Sequence, residues 1–482
     1  MATLLGPIST SFSAFSSLSW IATTFLIGQS AAQPLTPHLT ILFGRRNGLT
    51  CVSLIFLLGT LICGLSNSLW MLLAGRTIQG FGGGGLDSIV SFIEADLVPL
   101  RNRGITEGLS GIVFGVCLSL GGPFGGGIND AIGWRWAFLI QVPMVLICTV
   151  ATFFLVNIPR PQSHTSPWRR IDYIGMVTIL AAVVLIQLGL NSGSTSTWRS
   201  ATVYAPLPTG AACLAAFTYW ELRFASEPLL PLHLFKIRNV FFSSLYNFCW
   251  ACSYFSIQFY VPLYLQIQGL STTSTGLRFV PQACCAAAAL LATGMLVKAT
   301  GKYWWLNVGA QVFNMLGAGL LVTLNPYSAS WKPFLFLALS GTGFGISWIT
   351  VLMGTLAAIS SNQQAEVQGM AYVVRGVGTT LGLTASTSVF QSVLKTRLEV
   401  AFAGTAGGER MVEFLRADFT ALQPLEPGAR LLAQEAFEKA LSAVFYLCMA
   451  EFVVGAVCSF CMEEIKIGDE PESGEEETRE TE

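Results

Sequence analysis

PHLTILFGRRN, Pro37 to Asn47, is a polar stretch set between two long apolar runs. It marks a turn with a basic end, from which a second apolar run departs. Downstream, Arg76 opens RTIQGFGGGG, Arg76 to Gly85, inside a third apolar run. Charge is expelled from most apolar segments of this chain and kept in that one. An ionised side chain within a hydrocarbon layer is costly, and such residues face a bundle interior or a water-filled path. The pattern reads as an all-α, polytopic membrane protein that carries a solute or proton path.

Composition agrees. The 482 residues are 52% hydrophobic and only 11% charged, with mean hydropathy +0.60. Soluble domains carry about 25% charged residues. The net charge of −1 leaves no basic footprint for nucleic acid. The 12 cysteines are scattered through apolar runs. Cys458 and Cys461 form a CxxC inside the last run without a second pair, so they read as packing thiols rather than metal or redox groups. The histidines (His38, His164, His233) lie in loops, and no HExxH occurs. No metal and no cofactor are expected. Without a GxxxxGK[ST] loop, a nucleophile elbow or paired catalytic carboxylates, an ATP-driven pump and a membrane enzyme are both disfavoured.

A crossing needs about 20 apolar helical residues. Candidate spans are 18–37, 49–66, 69–93, 105–128, 136–156, 174–190, 201–220, 240–267, 275–297, 304–324, 333–358, 368–392 and 440–461. Ala2 to Ser9 is too short to cross. Basic residues concentrate in alternate loops: Arg45 and Arg46, Arg101 and Arg103, Arg160 with Arg169 and Arg170, Arg223 with Lys236 and Arg238, Lys298 with Lys302. The positive-inside rule makes those loops cytoplasmic. The acidic segment 462–482 then also lies inside and reads as disordered. The polar segment 393–439 faces outward and reads as a solvated loop rather than a cap over the outer mouth.

A repeat divides the body. Pro37, Leu39, Gly44 and Arg45 match Gly294, Leu296, Gly301 and Lys302 in spacing, and both sets sit in cytoplasmic turns. Parallel halves of this kind are a transporter signature. The implied plan is a short remnant at 1–17, an N-terminal half at 18–156, a linker with two extra helices at 157–239, a C-terminal half at 240–461 and the tail.

Arg76, Gln79 and Gly83 share one helical face, and Asp87 follows three turns on. An arginine and a carboxylate lining a cavity can exchange partners with a proton or a solute; the plainer reading is a permanent structural pair, or a partner on another helix. Asp87 reads as the only carboxylate deep within a span, while Glu94 and Asp96 read as solvated at the cytoplasmic end. GFGGGG matches GxGxxG, but no strand precedes it, so its glycines read as close-packing positions. Gly111 with Gly115 and Gly341 with Gly345 read the same way. GGPFGGG puts Pro123 among Gly122, Gly126 and Gly127, as a gating hinge or a static kink. Tyr246, Asn247, Trp250, Tyr254, Gln258 and Tyr264 are either a pocket for organic cations or interhelical polar contacts. Arg375 is a second cavity charge, or snorkels to the cytoplasmic surface.

These residues resemble the major facilitator superfamily, and within it the fungal fourteen-span drug:proton antiporters. FGRR, Phe43 to Arg46, resembles the end of that group's loop motif. RTIQGFGGGG resembles its fourth-helix motif, for which the resemblance implies a proton-coupling arginine. GGPFGGG resembles its antiporter motif. DLVPLRNRG from Asp96, RIDYIGM from Arg170 and YVVRGVGTTLG from Tyr372 are similar to fungal vacuolar basic amino acid transporters. The chain departs from the family in two ways. Pro37 and Ile41 stand where the loop motif has Gly and Asp, and only the tail of the family's first helix is found, near Ala2 to Ser9. The resemblance implies a major-facilitator fold of two six-helix halves plus an inserted pair, with the first helix largely missing. It implies a monomer in a vacuolar or plasma membrane that exchanges protons for small solutes. A receptor-like or inactive truncated paralogue is the alternative.

Overall fold

The computed structural model describes residues 18–33, 35–98, 100–157, 172–195, 200–224, 232–325, 328–359, 363–403, 408–417 and 427–465, with Leu4, Pro7, Ile8, Ser11 and Phe12 ahead of them. The acidic run 466–482 and the basic cluster at 158–171 lie outside the described residues.

Apolar runs of this length leave their backbone groups no partner but each other, so they fold as helices. They are α1 (Leu18–Ala32), α2 (Thr36–Gly64), α3 (Leu69–Leu97), α4 (Leu100–Ile132), α5 (Trp134–Leu139), α6 (Gln141–Leu155), α7 (Tyr173–Thr195), α8 (Ala201–Tyr204), α9 (Pro206–Arg223), α10 (Arg238–Ile267), α11 (Thr272–Leu277), α12 (Val280–Thr300), α13 (Trp304–Val322), α14 (Lys332–Leu356), α15 (Gln364–Ala401), α16 (Gly408–Ala417) and α17 (Pro427–Cys461). Every span expected from the sequence overlaps at least one of them, and 18–37, 136–156, 201–220 and 275–297 each reach across two. By length and composition alone, 7 stretches among the described residues are apolar enough to cross a membrane. The α3, α10 and α15 helices fall outside that set because glycine, hydroxyl, amide and charged residues dilute them. Those three helices carry the candidate site.

The helices form two groups. One is α1, α2, α3 and α6; the other is α10, α12, α13, α14, α15 and α17. The groups meet where α4 leans onto α12 and where α1 lies against α15. The α7 helix pairs with α9 and packs against both α1 and α15, so the inserted pair covers that seam. The opening segment packs as well: Leu4 and Ile8 are buried with Cys63, Leu72, Trp134 and Phe138, and the Trp134 indole N–H donates to Ser11 Oγ at 3.1 Å.

Two expectations are corrected. The stretch 37–47 is not a loop. The backbone is helical from Thr36, breaks at Gly44 (φ 79°, ψ 162°) and resumes in the same element. Its counterpart Gly301 also has positive φ, 65°. Only glycine adopts that region at low cost, which explains why both repeats keep it. The segment 393–439 is also largely helical. Leu394 and Leu398 of α15 and Phe402 just past its end recur every fourth residue, and Ala433, Phe437 and Leu441 do so on α17. Such spacing makes one apolar stripe per helix. The stripes bury against each other, and Leu415 of α16 joins them.

Candidate functional site

The site is built from α3 outward. Glycine recurs along this helix on the faces that touch its neighbours. A Cβ on Gly80 would collide with the Phe25 carbonyl of α1, and one on Gly82 with the Phe56 backbone of α2. Backbones approach that closely only when side chains are absent. The same reason holds at Gly111 against Leu290, Gly341 against the Gln282 carbonyl and Gly345 against that of Ala286. The packing reading of these glycines stands.

The close seam encloses Arg76. Its side chain is buried, with 7% exposure. One Nη donates to Gln79 Oε1 at 2.6 Å, Nε lies 3.4 Å from the Ile21 carbonyl, and the guanidinium sits 4.4 Å over the Phe25 ring. The Gln79 amide N–H donates to Thr60 Oγ at 3.0 Å. A polar string thus ties α1, α3 and α2 together. Arg76 and Gln79 therefore do not line open space, contrary to expectation. Eleven residues of helical rise also separate Arg76 from Asp87, roughly 16 Å. Direct exchange of a partner between them is excluded.

Asp87 is exposed, as is Asp96 at the end of α3. The Gln29 amide of α1 donates to its Oδ2 at 3.0 Å. One turn farther along, Ser91 Oγ lies 3.5 Å from Gln368 Oε1 of α15, across the seam between the two groups.

A cavity opens beside that contact. Ser91, Tyr246, Asn247, Trp250, Ser347, Trp348, Gln368, Tyr372 and Arg375 are among the residues lining it. Arg375 is deep in α15 and turns inward, so it does not snorkel. Its Nη donates to Asn247 Oδ1 at 3.0 Å, and its guanidinium lies 3.9 Å over the Trp348 ring. Tyr372 and Trp250 flank it at 5.3 and 5.8 Å. Asp87, one turn before Ser91 on α3, is not among the residues lining the cavity. Of the aromatic and amide residues read from α10, Tyr246, Asn247 and Trp250 line the cavity. Tyr254 instead stacks between Trp250 and Phe344, each at 5.0 Å, and Gln258 donates to its hydroxyl at 3.0 Å. Tyr264 donates to the Asn325 carbonyl at 3.0 Å, farther along α10.

At the basic turn, Arg45 Nε pairs with Asp96 Oδ2 at 2.9 Å, and an Arg45 Nη donates to Thr40 Oγ at 2.6 Å. Arg45 also lies 5.2 Å from the Phe92 ring, and Arg46 lies 4.5 Å over Phe153. Asp96, read as merely solvated, thus joins the end of α3 to the turn at Gly44. In α4 the helix continues through Pro123 without interruption. Gly122 lies on the same turn, and Gly126 is buried. Gly127 faces open space, so packing does not account for it.

Three residues escape the sequence reading. Gln29 and Trp348 matter only through what they touch, and nothing in a single chain marks such pairings. Glu451 is different. It sits inside the apolar run 440–461, so Asp87 is not the only deep carboxylate. A lone acid in MAEFVV was a legible signal. Its Oε2 accepts from Ser253 Oγ at 2.9 Å, between α17 and α10.

The "Vacuolar membrane amino acid uptake transporter fnx2" of Schizosaccharomyces pombe is 30% identical over 456 residues, 94% of this chain and 79% of that protein. The "Multidrug resistance protein fnx1" of the same organism is 29% identical over 466 residues, 95% of this chain and 88% of that one. Among solved structures, the proton:xylose symporter XylE superposes with a TM-score of 0.56 at 14% identity, covering 94% of this chain and 90% of that one. That last likeness is one of fold. The Major Facilitator Superfamily model matches residues 1–383, and with this helical architecture the chain belongs to that superfamily of multi-pass membrane transporters of small solutes.

Proposed function

We propose that this chain exchanges protons for small organic solutes, basic amino acids or drug-like compounds, moving them from the cytosol outward by alternating access. Residence in a vacuolar or plasma membrane fits that direction. The observation that carries the reading is Asp87, a carboxylate midway along a spanning helix that is exposed and held by one amide from Gln29. A carboxylate kept at such a depth is expensive unless water or a cation reaches it. A group that alternates between a proton and a cationic solute satisfies that requirement and couples the two fluxes. The Gln29 bond holds the side chain toward the seam in either state.

Arg76 acts in this reading as a positioning residue. Its bonds to Gln79 and Ile21 fix how α1, α2 and α3 sit, and hence where Gln29 meets Asp87. The basic turn with Arg45, Arg46 and Asp96 serves as a cytoplasmic latch, and Pro123 with its glycines as a hinge in α4.

The test is flux in proteoliposomes under an imposed pH gradient, acidic inside. Lysine, arginine and a panel of cationic drugs are supplied outside. Accumulation of at least one that collapses with a protonophore is the expected result. Binding without accumulation contradicts the reading and identifies a receptor-like protein instead.

A further inference from the structure

The end of α17 is fastened to the start of α10, the start of α13 and the end of α14. After Cys461 the chain leaves the helix, and side chains of the other helices bind its backbone. Asn239 Nδ2 donates to the Glu463 carbonyl at 2.9 Å, and the Glu463 N–H donates to Asn239 Oδ1 at 2.8 Å. Tyr303 Oη donates to the same carbonyl at 2.9 Å and accepts from the Ile465 N–H at 3.0 Å. Arg238 Nε donates to the Cys461 carbonyl at 2.8 Å, and an Arg238 Nη pairs with Glu463 Oε1. Met462 lies beneath these bonds, buried, with Asn307 Nδ2 3.6 Å from its sulfur. A Cβ on Gly354 of α14 would come 2.8 Å from both Met462 Cε and the Tyr303 ring, so a glycine there makes room for the methionine. Two of the fastened helices carry the cavity wall. Tyr246 of α10 follows Asn239 by about two turns, and Thr355 and Leu356 of α14 directly follow Gly354. The fastening therefore sits at the end of the cavity where α10 starts and α14 stops, the side that the basic turns assign to the cytosol. It also has a counterpart in the other half. Tyr303 comes just after the positive-φ turn at Gly301, as Arg45 comes just after the one at Gly44, and Arg45 is held by Asp96. Each hydrogen bond of this kind shifts an equilibrium about fivefold, small enough to break in every transport cycle. We infer that Asn239 and Tyr303 are positioning residues for transport: through Met462 and Glu463 they strap α10 to α14 beside the cavity, and the strap loosens when the cavity opens to the cytosol. The strap rests on the transport reading above and adds the element of the C-terminal half that sets how readily the cavity opens.

The test reads access to the cavity rather than flux. In the full chain freed of its 12 native cysteines, Leu352→Cys places a thiol on the cavity wall. A small, membrane-impermeant methanethiosulfonate reagent is applied from the cytoplasmic side, and the rate of modification is measured. Tyr303→Phe removes the hydroxyl and keeps the ring beside Met462, and modification is expected to run about fivefold faster. Asn239→Ala removes the paired bonds to Glu463 and is expected to raise the rate about tenfold. Phe437→Ala loosens the far end of α17 instead and leaves the rate within about twofold. Should Asn239→Ala fail to insert, Tyr303→Phe decides alone. A rate unmoved in either folded strap variant, with only the melting temperature lowered, overturns the strap and leaves these bonds a purely structural role. An equal rise in Phe437→Ala also overturns it, since any loosening would then serve. Proteoliposome flux keeps the two readings apart. Faster modification in a chain that moves no solute keeps the strap's hold on the cavity and removes transport, whereas flux with modification unmoved removes the strap alone.

Discussion

Among single residues, the candidate site was partly legible. Arg76, Asp87 and Arg375 stood out because charge in an apolar run is rare and expensive, and each is held by polar or aromatic partners. What each touches was not legible. Spacing alone placed Arg76 and Asp87 on one face and suggested partnership. Helical rise puts them too far apart, and Gln79 of α3 with the Ile21 carbonyl and Phe25 ring of α1 holds Arg76 instead. Arg76→Ala is expected to abolish transport while the chain still inserts. It leaves the Gln79 carbonyl without its donor, a cost of about 1–3 kcal/mol. A melting curve in detergent beside a flux assay checks both effects. Arg76→Lys keeps the charge but loses the planar fork, and recovers stability more fully than flux. Ser253→Ala tests Glu451 in the same way. Loss of its donor lowers stability by about 1–3 kcal/mol without touching the central cavity, and flux stays as in the wild-type chain.

For helices, the sequence located the membrane elements well because length and hydropathy decide them. At the outer segment a solvated loop was favoured although ARLLAQEAFEKAL, from Ala429, carries a helix-like pattern, because the many polar residues hid how deeply its stripe is buried. Phe437 is fully buried in that stripe. Phe437→Ala should cost about 3–5 kcal/mol, read as an earlier thermal transition. A solvated loop would leave the transition unmoved. On α3 the close packing at Gly80 makes a second forecast. Gly80→Val forces α1 and α3 apart and costs about 1–3 kcal/mol or more, whereas Gly127→Ala inside α4 meets nothing within 4 Å and raises stability by about 0.5–1 kcal/mol. Comparing the two melting temperatures decides whether α3 glycines are packing positions.

Across the whole molecule, two helix groups meet around a seam that carries Asp87, Arg375 and the Ser91–Gln368 contact. Alternating access requires that this seam open and close. In a chain freed of its 12 native cysteines, Ser91→Cys with Gln368→Cys is expected to form a disulfide on oxidation. Flux should stop on crosslinking and return on reduction. The latch at Arg45 and Asp96 is half exposed and contributes little stability, of the order of 0–1 kcal/mol. Its removal by Asp96→Ala should change flux and leave the melting temperature in place, and the exchanged pair Arg45→Asp with Asp96→Arg should restore flux in part. The repeat was read from the matched spacing around Gly44 and Gly301, and both glycines have positive φ in the structure. The cavity was not, since it arises only where α3, α10, α14 and α15 converge.

The central claim is that water reaches a charge held midway along α3. In the cysteine-free chain, Asp87→Cys can be treated in intact membranes with a positively charged, membrane-impermeant methanethiosulfonate reagent applied from the cytoplasmic side. Rapid modification of that cysteine, with none at the buried control Leu72→Cys, is the predicted result. A cysteine at position 87 as unreactive as the control, from either side of the membrane, would contradict it.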